Sequence, residues 1–197
     1  MQRMLTAIIA PLVLAACSSG DGTSGSGGGV AGVNSGSTGV SIFATLAAES
    51  FSSDAWESDC DEDEEGIIEQ RISSDLGTAS ITVRDTSLVT TNANKGVLFN
   101  SYTVSYQGIS GGAPALANRV QGESVPIFLG NADTASAEVP VVLVELDTTK
   151  AEFRLKNPAR NVYTYRVTVT FRGVRTDTNQ AVTVSASTPI EFGDFCD

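Results

Sequence analysis

Four carboxylates at alternate positions, Asp59, Asp61, Asp63 and Glu65, lie in the stretch DAWESDCDEDEEG (residues 54–66). Their spacing suits a hard cation, since Ca²⁺ takes about six to eight oxygens and short carboxylates at i, i+2 and i+4 can converge on one ion. The stretch departs from an EF-hand loop at two places. Glu64 stands where the sharp turn requires Gly, and Gln70 stands where a bidentate Glu would close the site. It therefore reads first as a solvated acidic loop that keeps the chain soluble, with Ca²⁺ binding as the alternative.

Other chemistries find less. Histidine is absent, which removes a Ser-His-Asp triad, an H-E-x-x-H zinc site and any imidazole base. No S-x-x-K occurs, and the three cysteines form neither C-x-x-C nor the C-x-x-C-H of covalent haem. Glu145 and Asp147 are the carboxylate pair to consider for a hydrolase, which needs two carboxyls about 5 to 9.5 Å apart across a cleft. Within VVLVELD they are expected to share one strand face, with no cleft implied. A G-x-G-x-x-G begins at Gly20 but has no strand before it and no helix after it, so it carries no dinucleotide reading. The chain is read as a protein without catalytic activity or resident cofactor.

Charge narrows the partners. Twelve Lys and Arg face 23 Asp and Glu, a net charge of -11, which disfavours nucleic acid. The acid concentrates in residues 54–66, whereas Lys150, Arg154, Lys156, Arg160, Arg166, Arg172 and Arg175 come late; the two groups either face each other or mark opposite ends of the domain.

The elements that must position these residues are strands. In NVYTYRVTVTFRG, Tyr163, Tyr165, Val167, Val169 and Phe171 fall on one face and Thr164, Arg166, Thr168, Thr170 and Arg172 on the other, which puts both arginines in water as a candidate basic binding face. In LFNSYTVSYQG, Tyr102, Val104 and Tyr106 alternate with Thr103, Ser105 and Gln107; Ala79, Ile81 and Val83, and Val182, Val184 and Ala186, repeat the pattern. EVPVVLVEL reads as a strand at the centre of a packed layer, and residues 177–179 as a hairpin turn. SIFATLAAES fits either a first strand or a short helix. Trp56, the single tryptophan, reads as a core or cover residue. Together these predict an all-β fold, an antiparallel β-sandwich of immunoglobulin-like or fibronectin type III-like form.

At the amino terminus, Arg3 precedes an apolar run over residues 5–14 that is too short to span a bilayer. The run ends in Leu14-Ala15-Ala16-Cys17, which resembles the lipobox of bacterial lipoproteins. The resemblance implies a signal peptide over residues 1–16, cleavage before Cys17, and acylation of Cys17. Two or three acyl chains make a stable anchor where one would be marginal. Ser18 follows where Asp would mark inner-membrane retention, so the resemblance places the protein in the bacterial cell envelope at the outer membrane. Residues 17–40 are then the lipidated cysteine and a Gly/Ser-rich flexible linker of about 25 Å root-mean-square span, and residues 41–197 are the domain.

With Cys17 acylated, Cys60 and Cys196 remain as an even pair in an oxidising compartment and are expected to form a disulfide that staples the two ends of the domain. VLFNSYTVSYQ, YRVTVTFRGVRTDTNQAVTVSAST and IEFGDF resemble bacterial lipoproteins with one immunoglobulin-like domain and no assigned activity. The expected role is structural or binding, toward an envelope protein or glycan, through a sheet face, an edge strand or the basic strand of Arg166 and Arg172. A calcium-dependent adhesion or stability module is the alternative, and a carboxylate-based hydrolase the second.

Overall fold

A computed structural model describes residues 30–33, 40–49, 51–56, 72–85, 95–130 and 132–195. Nine strands are present among them: β1 (Val30–Val33), β2 (Val40–Ala48), β3 (Ser52–Asp54), β4 (Asp75–Asp85), β5 (Gly96–Gly108), β6 (Arg119–Phe128), β7 (Thr134–Val144), β8 (Tyr163–Arg175) and β9 (Ala181–Gly193). A π-helical turn (Leu146–Lys150) runs into a short helix, α1 (Ala151–Lys156), between β7 and β8. The fold is an all-β sandwich. One sheet has the order β6-β5-β8-β9, the other β2-β4-β7, and every pairing among these strands is antiparallel.

The period-two pattern is what builds the core. Tyr165, Val167, Val169 and Phe171 of β8 turn inward with Val182, Val184 and Ala186 of β9, against Ile42, Ala44 and Leu46 of β2 and Ala79, Ile81 and Val83 of β4. The segment SIFATLAAES resolves as a strand, β2, with alternate residues buried. On β5 the inward set changes parity, from Val97 and Phe99 to Tyr102 and Val104, because the register shifts between Phe99 and Ser101 in both of its ladders. One extra residue, Asn100, performs that flip. Opposite it on β8, a Cβ on Gly173 would lie 2.2 Å from the Leu98 carbonyl, so only glycine lets the two strands close at the bulge.

Two expectations are corrected here. The run EVPVVLVEL is not central: β7 pairs only with β4 among the described residues and is an edge strand, which is why Pro140 is tolerated in it. The stretch read as linker also contains structure. Val30 and Ala31 pair with Ser187 and Ala186 of β9, while Gly32 and Val33 pair with Ala44 and Phe43 of β2. β1 thus bridges the two sheets, and with β2 starting at Val40 the sandwich begins earlier than residue 41. β3 lies parallel to β9 further along, from Ser52 opposite Glu191. No described strand lies opposite Pro189 on that flank of β9, between these two partners, a place where a residue lacking N–H fits inside a sheet.

The expected turn over residues 177–179 is present: Arg175 N–H donates to the Gln180 carbonyl, and Asn179, at φ 56°, takes the left-handed conformation that Asn tolerates. Beside it Arg175 holds Asp177 by two bonds, from Nε at 2.9 Å and from Nη2 at 2.6 Å. No described helix is long and apolar enough to cross a membrane.

Candidate binding face and the polar end of the sandwich

The outer face of the β6-β5-β8-β9 sheet carries a patch of hydroxyls with two guanidiniums, bordered by exposed Val120 and Glu191. Its rungs are set by register: Thr103, Thr170 and Ser185 form one, Ser105, Thr168 and Ser187 the next, and Gln107, Arg166 and Pro189 a third. Thr170 and Ser185 share a 2.9 Å hydrogen bond across the strands, and Arg172 Nη1 donates to Thr103 Oγ1 at 3.2 Å. Arg166 is exposed and has no hydrogen-bond or ion-pair partner among the described residues. Both arginines stand where the alternation put them. Six residues apart on one strand, they are about 20 Å from each other.

One end of the sandwich gathers the loops after β2, β3, β5 and β7. There Lys150 is 1% exposed, and its Nζ donates to the Asp54 carbonyl at 2.7 Å and to Asp75 Oδ1 at 3.1 Å. Ser53 Oγ donates to the other Asp75 oxygen. Tyr106 Oη donates to the Leu143 carbonyl at 2.8 Å and lies 3.3 Å from Thr149 Oγ1; burial pushes its pKa up to about 12. Arg119 Nη2 donates to Glu152 Oε2 at 2.9 Å, and Lys156 Nζ to Glu152 Oε1 at 2.8 Å. Burial alone would raise the Glu152 pKa, yet the Lys156 bond, the Ala117 N–H and the two positive charges hold it below the ordinary range.

Asp54 is the strained member of this end. Its Oδ1 accepts from Trp56 N–H at 3.3 Å and Phe195 N–H at 3.5 Å, but its Oδ2 is buried with no partner among the described residues. Burial raises its pKa, with the two N–H groups opposing and the Asp194 charge adding to the rise. A carboxyl that binds its proton more tightly when folded stabilises the fold below its ordinary pKa, and that contribution is lost as the pH rises through the folded value. Asp54→Asn should therefore raise the melting temperature at neutral pH. In thermal melts from neutral to acid pH, the gap to the wild type should close as the medium passes below the ordinary Asp range.

The late cations divide. Lys150, Arg154 and Arg160 do face the start of the acidic stretch: Arg154 Nη1 donates to the Ala55 carbonyl at 3.0 Å, and the Arg160 guanidinium lies 5.8 Å over the Trp56 ring. Arg166 and Arg172 belong to the sheet face, and Arg175 to the opposite end. Trp56 acts as a cover, edge-on to Phe153 at 5.6 Å, as its reading as a core or cover residue anticipates. With Ile72, Leu146, Asp147 and Arg154 it lines an open cleft of ≈340 Å³.

Glu145 and Asp147 do not share a strand face. β7 ends at Val144, and Asp147 lies in the π-helical turn while Glu145 accepts from Thr148 Oγ1 at 2.6 Å. Cys17, Cys60, Cys196, Asp59, Asp61, Asp63 and Glu65 lie outside the described residues. Among the described residues, no group of three or more Asp, Glu, His or Cys is arranged to hold a metal ion. The Lys150–Asp75–Ser53 cluster escapes a reading of the sequence, because Lys150 has the look of a surface cation; its one hint is the place it takes just ahead of the apolar position Phe153, which is fully buried. Compared with models of known protein families and with curated proteins, the chain matches none.

Proposed function

We propose that this chain is a lipid-anchored lipoprotein of the bacterial cell envelope, held at the outer membrane by acylated Cys17, whose sandwich binds an anionic glycan on the outer face of the β6-β5-β8-β9 sheet. The observation that carries the reading is Arg166, an exposed guanidinium without a polar partner among the described residues, on a face that also presents the hydroxyls of Thr168, Thr170, Ser185 and Ser187. Arg172 adds a second positive charge on the same strand. Serine and threonine hydroxyls both donate and accept, as sugar hydroxyls do, while the arginines supply attraction for carboxylate, sulfate or phosphate groups. A net-negative protein with a locally positive flat face selects its ligand by charge.

Strand pairing at an edge finds less support, since β6 carries Gly122 and Pro126, and β7 carries Pro140, residues that blunt an edge. The role is binding without catalysis: at the loop end Lys150, Ser53 and Asp75 bond to one another, with Lys150 and Ser53 fully buried. The arrangement of β2-β4-β7 against β6-β5-β8-β9 suits an immunoglobulin-like or a fibronectin type III-like form of the fold.

The test is binding of a polyanionic polysaccharide such as heparin to the full chain. Affinity should fall as salt rises, and Arg166→Ala with Arg172→Ala should weaken it about tenfold or more without shifting the melting temperature, since both side chains are exposed. Equal affinity in the double variant would remove this face from the account.

A further inference from the structure

The burial of Lys150 against Asp75 leads beyond an ion pair. The Lys150 side chain is 2% exposed and its nitrogen donates to an Asp75 oxygen at 3.1 Å, which holds amine and carboxyl in direct contact. Ser53 donates to the second Asp75 oxygen, so the carboxyl carbon has an amine on one side and a hydroxyl donor on the other. The same end of the core holds the fully buried rings of Phe153, Tyr165 and Phe192, packed ring against ring. These are the ingredients of an uncatalysed condensation: a fixed pair of reacting groups, a hydrogen-bond donor for the developing oxyanion, and little water to reverse the product.

We propose that Lys150 and Asp75 join in an intramolecular amide bond that ties the turn after β7 to the start of β4. One proton passes from the Lys150 ammonium to the Asp75 carboxylate, and the freed amine attacks Cγ. Ser53 Oγ holds the oxygen on which negative charge develops. The Cγ–O bond to the protonated oxygen then breaks, and the hydroxyl leaves with a second proton from the nitrogen as water. No oxidant, metal or cofactor enters the balance. The Asp54 backbone carbonyl, which accepts from Lys150, holds the nitrogen in place. The bond stands independently of the binding role proposed above.

Tryptic digestion of the full, denatured and reduced chain decides the matter. An amide at Lys150 blocks cleavage there, so the peptide of residues 120–154 should remain whole and carry the peptide of residues 72–84, at the sum of their masses less one water. Fragmentation should place the branch at Lys150 and Asp75. Lys150→Arg and Asp75→Ala should each abolish the branched species, and Ser53→Ala should reduce its yield. If Lys150→Arg fails to fold, the wild-type digest decides alone. Linear peptides of residues 72–84 and 120–150 from the wild-type chain, cut after Lys150, would show an ordinary ion pair and overturn the proposal.

Discussion

Lys150→Met should lower the unfolding free energy by about 3–5 kcal/mol, read as a fall in the urea midpoint at unchanged slope. The size follows from what is left behind. Without Lys150 no bond to Asp75, covalent or ionic, can form: the Asp75 carboxylate keeps only Ser53, and the Asp54 carbonyl loses its donor, so both stay desolvated without the lysine. Such a cost is a large share of the roughly 5–15 kcal/mol that holds a domain together. The companion variant discriminates: Lys150→Met with Asp75→Leu removes both charges and should be less destabilised than Lys150→Met alone, because no buried charge is stranded. If the double variant loses the sum of the two single losses, the pair is not coupled.

Reduction of the expected Cys60–Cys196 bridge is the other large effect. The segments leading to the two cysteines, the end of β3 and the end of the chain's described residues, already meet: Phe195 N–H reaches Asp54 Oδ1 at 3.5 Å, and Ala55 N–H donates to the Gly193 carbonyl at 2.9 Å. Cys196 is one residue beyond the first of these contacts, and Cys60 follows Trp56 by four. A bridge closing so long a loop is worth about 4–5 kcal/mol in the chain-entropy account. Adding reductant should therefore lower the melting temperature by on the order of 10 °C or more, at roughly 2–4 °C per kcal/mol for a domain of this size. Cys60→Ser with Cys196→Ser should melt at the reduced temperature and lose its response to reductant. A wild-type melt that ignores reductant would dispose of the staple.

How much of this was legible follows from how local each cause is. Alternation is a property of neighbouring residues, so the inward face of β8, the outward placement of Arg166 and Arg172, and the turn around Asn179 could be read directly. Edge or centre is a property of what lies alongside. In β7 Val139, Val141 and Leu143 are buried by alternation, and Val144 is buried out of turn where the strand runs into the π-helical turn, not because a strand flanks it on each side. β1 was hidden for a related reason: a four-residue strand among glycines and serines has no period to detect, and its pairing with both β9 and β2 is set by those strands. Lys150 is the extreme case. Its burial depends on Asp54 and Asp75, 96 and 75 residues away in the chain, and nothing in the run LDTTK signals a lysine that points inward.

The intact mass of the protein purified from its native membrane tests the proposed anchor at Cys17 most directly. The expected species begins at Cys17 and carries the added mass of two or three acyl chains. An unacylated chain, or one that retains residues 1–16, would contradict the anchor and leave a soluble secreted sandwich in its place.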